Sequence, residues 1–273
     1  MKNTVWFHSI CRSWEKGMSK RLKVMMLAGK DESSNIMYHA LKEDFDVVKV
    51  IVEAPVSRKK LLKNRVKRLG YLKVFGQVLF ILFNKLLTKI SVDRMEEIKK
   101  MYGLNDAPID EKKAVRVESI NDVKVIDLLQ KYSPNAVMVN GTRIISKKIL
   151  DAVDVPYLNT HAGITPKYRG VHGGYWALAN DDAAHCGVTV HLVDTGVDTG
   201  DVLYQETIEV TDKDSFNTYP MLQLAKATPL MKQVLNDVEQ RTLNPHKVDL
   251  PSKLWYHPTI WEYIFNYMKI RVK

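Results

Sequence analysis

Apolar positions along the chain fall into short continuous runs, separated by turn residues and by segments of helical period. Lys23-Val24-Met25-Met26-Leu27-Ala28-Gly29 is the first run, ended by glycine, and predicts a buried strand. Asp31 to Asn35 offers caps for a helix through Met37, His39 and Leu41, and Val47 to Val52 predicts a second strand. This β-α-β opening predicts a mostly parallel sheet between layers of helices, with ligands received at the carboxyl ends of the strands. Further on, Ser119 to Tyr132, with a Ser or Asn cap, predicts a helix leading into the run Ala136-Val137-Met138-Val139, which Asn140-Gly141 closes. Val155 to Leu158 and Gly187 to Val193 predict two more strands, the second running through an Asp-rich turn into Val202-Leu203-Tyr204-Gln205.

Between Arg58 and Ile90 the pattern changes. Seven Lys and Arg fall within Arg58 to Arg68, and the chain turns apolar from Tyr71. Leu72, Phe75, Leu79, Leu82, Leu86 and Ile90 recur at steps of three and four, as an amphipathic helix requires. The stretch between Lys73 and Lys85 contains Gln77 and falls well short of the roughly 20 residues that a bilayer span needs. It is therefore not read as a transmembrane helix. Two readings of residues 58–92 stand. One is an inserted helix packed on the domain with its basic half in water. The other is a basic amphipathic segment, 58–90, resting on an anionic membrane or gripping a partner. Met95 to Asp106 reads as a charged helix or loop, and no internal repeat appears.

Composition narrows the class. A 45% apolar and 26% charged chain of 273 residues is ordinary globular protein, neither disordered nor fibrous. The expected organisation is an N-terminal arm, 1–20, a catalytic domain, 21–240, and an extension rich in aromatics, 241–273. The formal charge of +10 favours anionic partners such as phosphorylated metabolites, nucleic acid or an acidic membrane face. Cys11 and Cys186 form no disulfide framework and stand in no metal spacing, so a reducing cytosol is the default. The first twenty residues hold no apolar core of signal-peptide length, which argues against secretion. The expected location is cytoplasmic, with 58–90 able to bring the chain to the inner face of a membrane.

Chemistry-bearing residues concentrate between Tyr157 and Gln205. If Tyr157-Leu158-Asn159-Thr160-His161 is a strand, alternation sets Asn159 and His161 on one side of it. A Gly/Pro/basic loop follows, with Pro166, Lys167, Arg169 and Gly170, and later comes Asp194-Thr195-Gly196-Val197-Asp198-Thr199-Gly200-Asp201. An amide donor, an imidazole and a carboxylate at the ends of apolar runs suit the transfer of an acyl carbon to nitrogen. Taken singly, such residues are more often caps, core residues and turn formers. His172, His185 and His191 have no metal-ligand spacing; they read as surface or core histidines, and no metal is expected.

Taken together and in order, Gly141-Thr142-Arg143-Ile144-Ile145-Ser146, Asn159-Thr160-His161, Pro166-Lys167-Tyr168-Arg169-Gly170 and Asp198-Thr199-Gly200-Asp201 resemble the 10-formyltetrahydrofolate-dependent formyltransferases. That family includes glycinamide ribonucleotide, methionyl-tRNA and nucleotide-sugar N-formyltransferases. The likeness is strong over about residues 134–207 and weaker outside them. It implies an α/β, Rossmann-like formyltransferase fold, with residues 58–92 as a helical insertion and a short C-terminal extension. It also implies that a formyl group passes from 10-formyltetrahydrofolate to a primary amine. In that chemistry Asn159 would donate to the developing oxyanion and His161 would shuttle a proton. Asp198 would support the histidine and order a water. Asp198 is preferred as the acid because it precedes the small-Gly pair and the next strand, with Asp194 as the fallback. By the same likeness Thr142, Arg143, Ile144 and Ile145 would wrap the pterin, and the loop from Asp194 to Val197 would close over it. Arg169 and Gly170 would help place the anionic donor or acceptor.

The acceptor is expected to be a small, phosphorylated amine. The Gly29-Lys30-Asp31-Glu32 turn is no glycine-rich phosphate loop, which argues against glycinamide ribonucleotide. The tail from Asp249 to Lys273 is too short for the β-barrel that methionyl-tRNA enzymes usually add, so nucleic acid is not the expected partner. An amino sugar on a nucleotide or surface-glycan precursor is the first choice. A noncatalytic binding protein on the same fold is the alternative of a different class, and the intact Asn159, His161 and Asp198 set opposes it. Oligomeric state is not legible.

Overall fold

The computed structural model describes residues 21–273; the arm at 1–20 lies outside the described residues. Strand β1, Lys23–Ala28, is almost wholly buried, as expected of a parallel strand covered on both faces. Helix α1, Glu32–Leu41, starts at Asp31, whose carboxylate accepts from the Ser34 amide at 2.9 Å. Strand β2, Asp46–Glu53, follows. The link to β3, Ala114–Val117, runs through α2, Arg58–Leu69, and α3, Tyr71–Tyr102. Then come α4, Val123–Tyr132, β4, Ala136–Asn140, α5, Lys147–Leu150, and β5, Tyr157–His161. The cap of α4 is Asp122, one residue after Asn121 and in place of the Ser or Asn expected from sequence. The remainder comprises β6, Arg169–Gly170, α6, Gly173–Ala179, β7, Gly187–Leu192, and β8, Val202–Thr207. Last are α7, Tyr219–Gln240, β9, Leu254–Trp255, and α8, Ile260–Ile270.

The main sheet has the order β3-β2-β1-β4-β5-β7-β8. Its first five strands are parallel, while β7 and β8 are antiparallel to their neighbours. Strand order reverses between β1 and β4, so a crevice opens at their carboxyl ends. A large core under α1, α3 and α7 covers one face, and a smaller core under α4 covers the other. This is the Rossmann-like, three-layer arrangement expected from the sequence.

The segment expected as an insertion over 58–92 is the β2-to-β3 crossover, and it is longer than expected. Its second helix continues through Met95 until Gly103, at φ 63°, caps it, because nothing after Lys89 breaks a helix. Its orientation also differs from that of an inserted helix packed on the domain through its apolar stripe. The expected apolar stripe faces outward: Leu72 is 75%, Phe75 59%, Leu82 54%, Leu86 59% and Ile90 80% exposed. The packed stripe is instead Val74, Gln77, Phe80, Ser91 and Ile98. Gln77 donates to the His257 carbonyl at 2.8 Å, Asn84 to Asn217 at 3.0 Å, and Arg94 pairs with the fully buried Asp214 at 2.9 Å. Specific partners of this kind outweigh apolar periodicity, since a buried amide or carboxylate must be paired.

The C-terminal extension folds back on the domain. Strand β9 pairs in parallel with β6, and the Trp255 ring stacks on Trp176 at 4.7 Å. Helix α8 begins with a Thr259/Glu262 capping box and buries Tyr263 against Phe80 and Phe216.

Candidate active site

Three elements bring the candidate residues to the crevice. Strand β5 ends with Asn159 and His161 on one side, as its alternation requires. Antiparallel β7 sets His191 directly opposite Asn159. The loop between β7 and β8 returns Asp198, at φ 50°, to both histidines. The Asp198 carboxylate lies 3.4 Å from His161 Nδ1 and 3.8 Å from His191 Nε2, and it accepts from the Gly170 amide at 2.9 Å.

The hydrogen bonds fix the tautomers. His161 Nε2 meets only a carbonyl, that of Tyr168, at 2.7 Å, so this nitrogen carries the hydrogen. In the neutral ring Nδ1 is then the free basic atom, and it faces Asp198. His191 Nδ1 likewise donates to the Leu192 carbonyl at 2.6 Å, leaving Nε2 as an acceptor. Asn159 Nδ2 donates to that atom at 3.1 Å. Burial is the largest influence on His191 and pulls its pKa down; the charge of His161 adds to this, against the Leu192 carbonyl and the Asp198 and Asp194 carboxylates. A neutral His191 therefore dictates which end of the Asn159 amide is the NH2, and its second N–H remains available in the crevice.

Asn159, His161, His191 and Asp198 line one cavity of about 370 Å³, within the range of small-molecule pockets. Thr142, Arg143, Ile144, Ile145, Asp194 and Val197 line the same cavity. The loop from Gly141 to Ser146 is anchored by the buried Glu53, whose carboxylate accepts from the Arg143 amide at 3.0 Å and the Ile120 amide at 2.7 Å. The Arg143 guanidinium turns back to the Ala54 and Glu118 carbonyls, at 3.0 and 2.8 Å. Ile144 stands 53% exposed at the mouth and Ile145 is buried.

Of the two aspartates left open by the sequence, Asp198 faces the imidazoles. Asp194 accepts from the Gly196 amide at 2.9 Å and the Thr199 hydroxyl at 2.8 Å, which shapes the turn. Gly170 lines the cavity. Arg169 is absent from that lining; its Nη1 donates to the Val197 carbonyl at 3.1 Å, which braces the loop. Sequence reasoning set His191 aside as a surface or core residue. Along β7 it lies on the face opposite Val188 and Val190, and only the β5–β7 register shows that this face meets Asn159. Among the described residues no group of His, Cys, Asp and Glu is arranged to hold a metal.

Residues 92–235 match the family described as formyl transferase, just over half of the chain. A methionyl-tRNA formyltransferase of Finegoldia magna is 31% identical over 155 residues, 55% of this chain and 49% of that one. Another, from Acidobacterium capsulatum, is 35% identical over 130 residues, 47% of this chain and 42% of that one. The chain thus spans about half the length of these relatives. Among solved structures, glycinamide ribonucleotide transformylase 1 of Symbiobacterium toebii is similar with a TM-score of 0.54 at 17% identity, over 85% of this chain and 96% of that one. A sugar N-formyltransferase of a Shewanella species is similar with a TM-score of 0.54 at 14% identity, over 86% and 76%. Both likenesses are of fold.

Proposed function

The chain belongs to the formyl transferase family, and on that premise we propose that it carries a formyl group from 10-formyltetrahydrofolate to the primary amine of a small acceptor. The observation that carries this reading is the convergence of Asn159, His161 and Asp198 on one cavity. A cavity of about 370 Å³ lined by Thr142 to Ile145 and by Asp194, Gly196 and Val197 suits a flat heterocycle with apolar Ile144 at the mouth. The donor supplies an activated formyl carbon on nitrogen.

The attacking amine forms a C–N bond, and the formyl oxygen gathers negative charge. The Asn159 N–H not used by His191 donates to that oxygen. His161 Nδ1 takes the proton from the attacking amine and returns it to the departing folate nitrogen as the old C–N bond breaks. Asp198, at 3.4 Å from Nδ1, stabilises the transient imidazolium. Removal of one oxyanion donor typically costs about 3 to 4 kcal/mol, or roughly 10² to 10³ in turnover.

For the acceptor we favour an amino sugar on a nucleotide or surface-glycan precursor. Supporting this, the Asp31 carboxylate occupies the turn after β1, accepting from Ser33 Oγ at 2.8 Å and the Ser34 amide at 2.9 Å. An acid already satisfying a helix N-terminus disfavours phosphate there. A charged initiator tRNA is the second reading, favoured by what the similar relatives are called. The test is a screen of 10-formyltetrahydrofolate with amino-sugar nucleotides, glycinamide ribonucleotide and charged initiator tRNA, read as gain of one formyl group by mass. Transfer to an amino sugar, lost in Asn159→Ala, is expected. Tetrahydrofolate release with no amine, or full activity in Asn159→Ala, would refute the reading.

A further inference from the structure

The chain's whole positive surplus sits in one place. Of 41 Lys and Arg against 31 Asp and Glu, ten basic residues lie between Arg58 and Lys89, a stretch with no acid. The rest of the chain is balanced. Lys59, Lys63, Lys67 and Arg68 on α2 are exposed, as are Lys85 and Lys89 on α3. Among the described residues of this stretch, only Lys73 has a carboxylate within 4 Å, Glu262 at 3.9 Å.

Beside these cations is the outward stripe of α3, with Tyr71 82%, Leu72 75% and Leu82 54% exposed. Helix α8 extends it with Phe265 at 61% and Met268 at 72% exposed. The two helices meet where the Trp261 indole lies on Gly76; a Cβ there would fall 2.2 Å from the ring. Gly76 therefore lets the indole rest on backbone and makes the two faces one. An apolar surface this extensive marks an interaction site.

We propose that α2, the outer face of α3 and α8 form an interfacial docking surface for an anionic phospholipid bilayer. Charge selects this occupant. Cations flanking an apolar, aromatic-bearing face form the pattern of helices that lie in the headgroup boundary, and anionic lipid attracts the former while the acyl edge receives the latter. Helix α3 is long and apolar enough by composition to cross a membrane. However, its opposite stripe is committed to protein through Val74, Gln77 and Phe80, so it lies along the surface. The site reaches the cavity rim: the Arg68 guanidinium sits over the Tyr256 ring at 5.3 Å, and the adjoining Trp255 pairs with Gly170 in the cavity wall. The proposal is independent of which amine is formylated.

The test is flotation of the full chain with vesicles of mixed phosphatidylglycerol and phosphatidylcholine, against phosphatidylcholine alone. Binding should be selective for the anionic vesicles and weaken as salt rises. The triple variant Lys59→Glu, Lys63→Glu, Lys67→Glu should bind at least about 100-fold more weakly, from about fivefold per neutralised charge. Leu72→Ser with Phe75→Ser and Leu82→Ser should bind weakly and only at low salt. Both variants should keep the wild-type melting temperature, because every altered side chain is exposed. Equal flotation with neutral vesicles, or unchanged binding by both variants, would overturn the proposal. So would a dimer that the serine variant dissolves while vesicles capture nothing, which would assign the face to a second copy. Retention on membranes through an alkaline carbonate wash would mean a spanning helix and would overturn it equally.

Discussion

His191→Phe isolates the least expected member of the site. The ring is 3% exposed, and phenylalanine fills nearly the same volume while removing both nitrogens. Two bonds vanish, that to the Leu192 carbonyl at 2.6 Å and that from Asn159 Nδ2 at 3.1 Å. Each is worth about 1 kcal/mol of stability, so melting should fall by a few degrees. The larger effect is kinetic. Without its acceptor the Asn159 amide can rotate and present its oxygen to the developing oxyanion. Misplacement of this kind costs about 10-fold to 100-fold in turnover, with the donor KM little changed because the cavity walls remain. The decisive measurement is a cycle with Asn159→Ala, following tetrahydrofolate release with the amine identified by the screen. Asn159→Ala alone should cost roughly 10² to 10³. If His191 acts through Asn159, the double variant should fall no more than about threefold further. Multiplicative losses, or a His191→Phe enzyme of wild-type turnover, would refute the assigned role.

Asp198→Ala should lose turnover by roughly 10² or more, whereas Asp194→Ala, which only loosens the turn to Gly196 and Thr199, should chiefly raise the donor KM; steady-state kinetics with varied formyl-folate separate the two, and the reverse pattern would exchange their roles. Gly163→Ala puts a Cβ 2.4 Å from the Tyr168 carbonyl and 2.8 Å from His161 Nε2, and should cost about 1 to 3 kcal/mol in denaturant unfolding along with much of the activity. His172 and His257, bonded at 2.8 Å, are held at about 3 and about 4. Burial is the main cause for both, with His257 and Arg65 charge adding at His172 and Arg65 charge at His257. The unfolded chain takes up protons near the ordinary 6.5 while the folded rings stay neutral. Stability is thus full above that pH and falls toward pH 4 by up to about 1.4 kcal/mol per ring per pH unit. Urea midpoints at pH 7 and pH 5 should show this, and His257→Gln should flatten the slope; an unchanged slope would assign it elsewhere.

Much of the site was legible because it lies in strands whose side-chain direction is set by local geometry. Continuous apolar composition marked β1 and β4 as buried, and alternation put Asn159 and His161 on one side of β5. The turn after β1 also read correctly as a helix start, since Asp31 has the chemistry of a cap. His191 was not legible, because its partner is chosen by antiparallel register across a 25-residue connection, and no local pattern records register. Arg169 was expected to help place the anionic donor or acceptor; its tie to the Val197 carbonyl spans the fold and could not be read from the motif.

Helix α3 marks the boundary most clearly. Its helical character followed from sequence, but its rotation did not. Between Val74 and Phe83 the helix is apolar on nearly every side, so periodicity offers two stripes and cannot rank them. Tertiary structure ranks them by polar pairing: Gln77, Asn84, Ser91 and Arg94 find partners on one side only, and leaving them unpaired in the core would cost more than exposing leucines. Local composition thus determined the elements and the chemistry they carry, while long-range hydrogen bonding and register decided which faces meet and which are left to water or lipid.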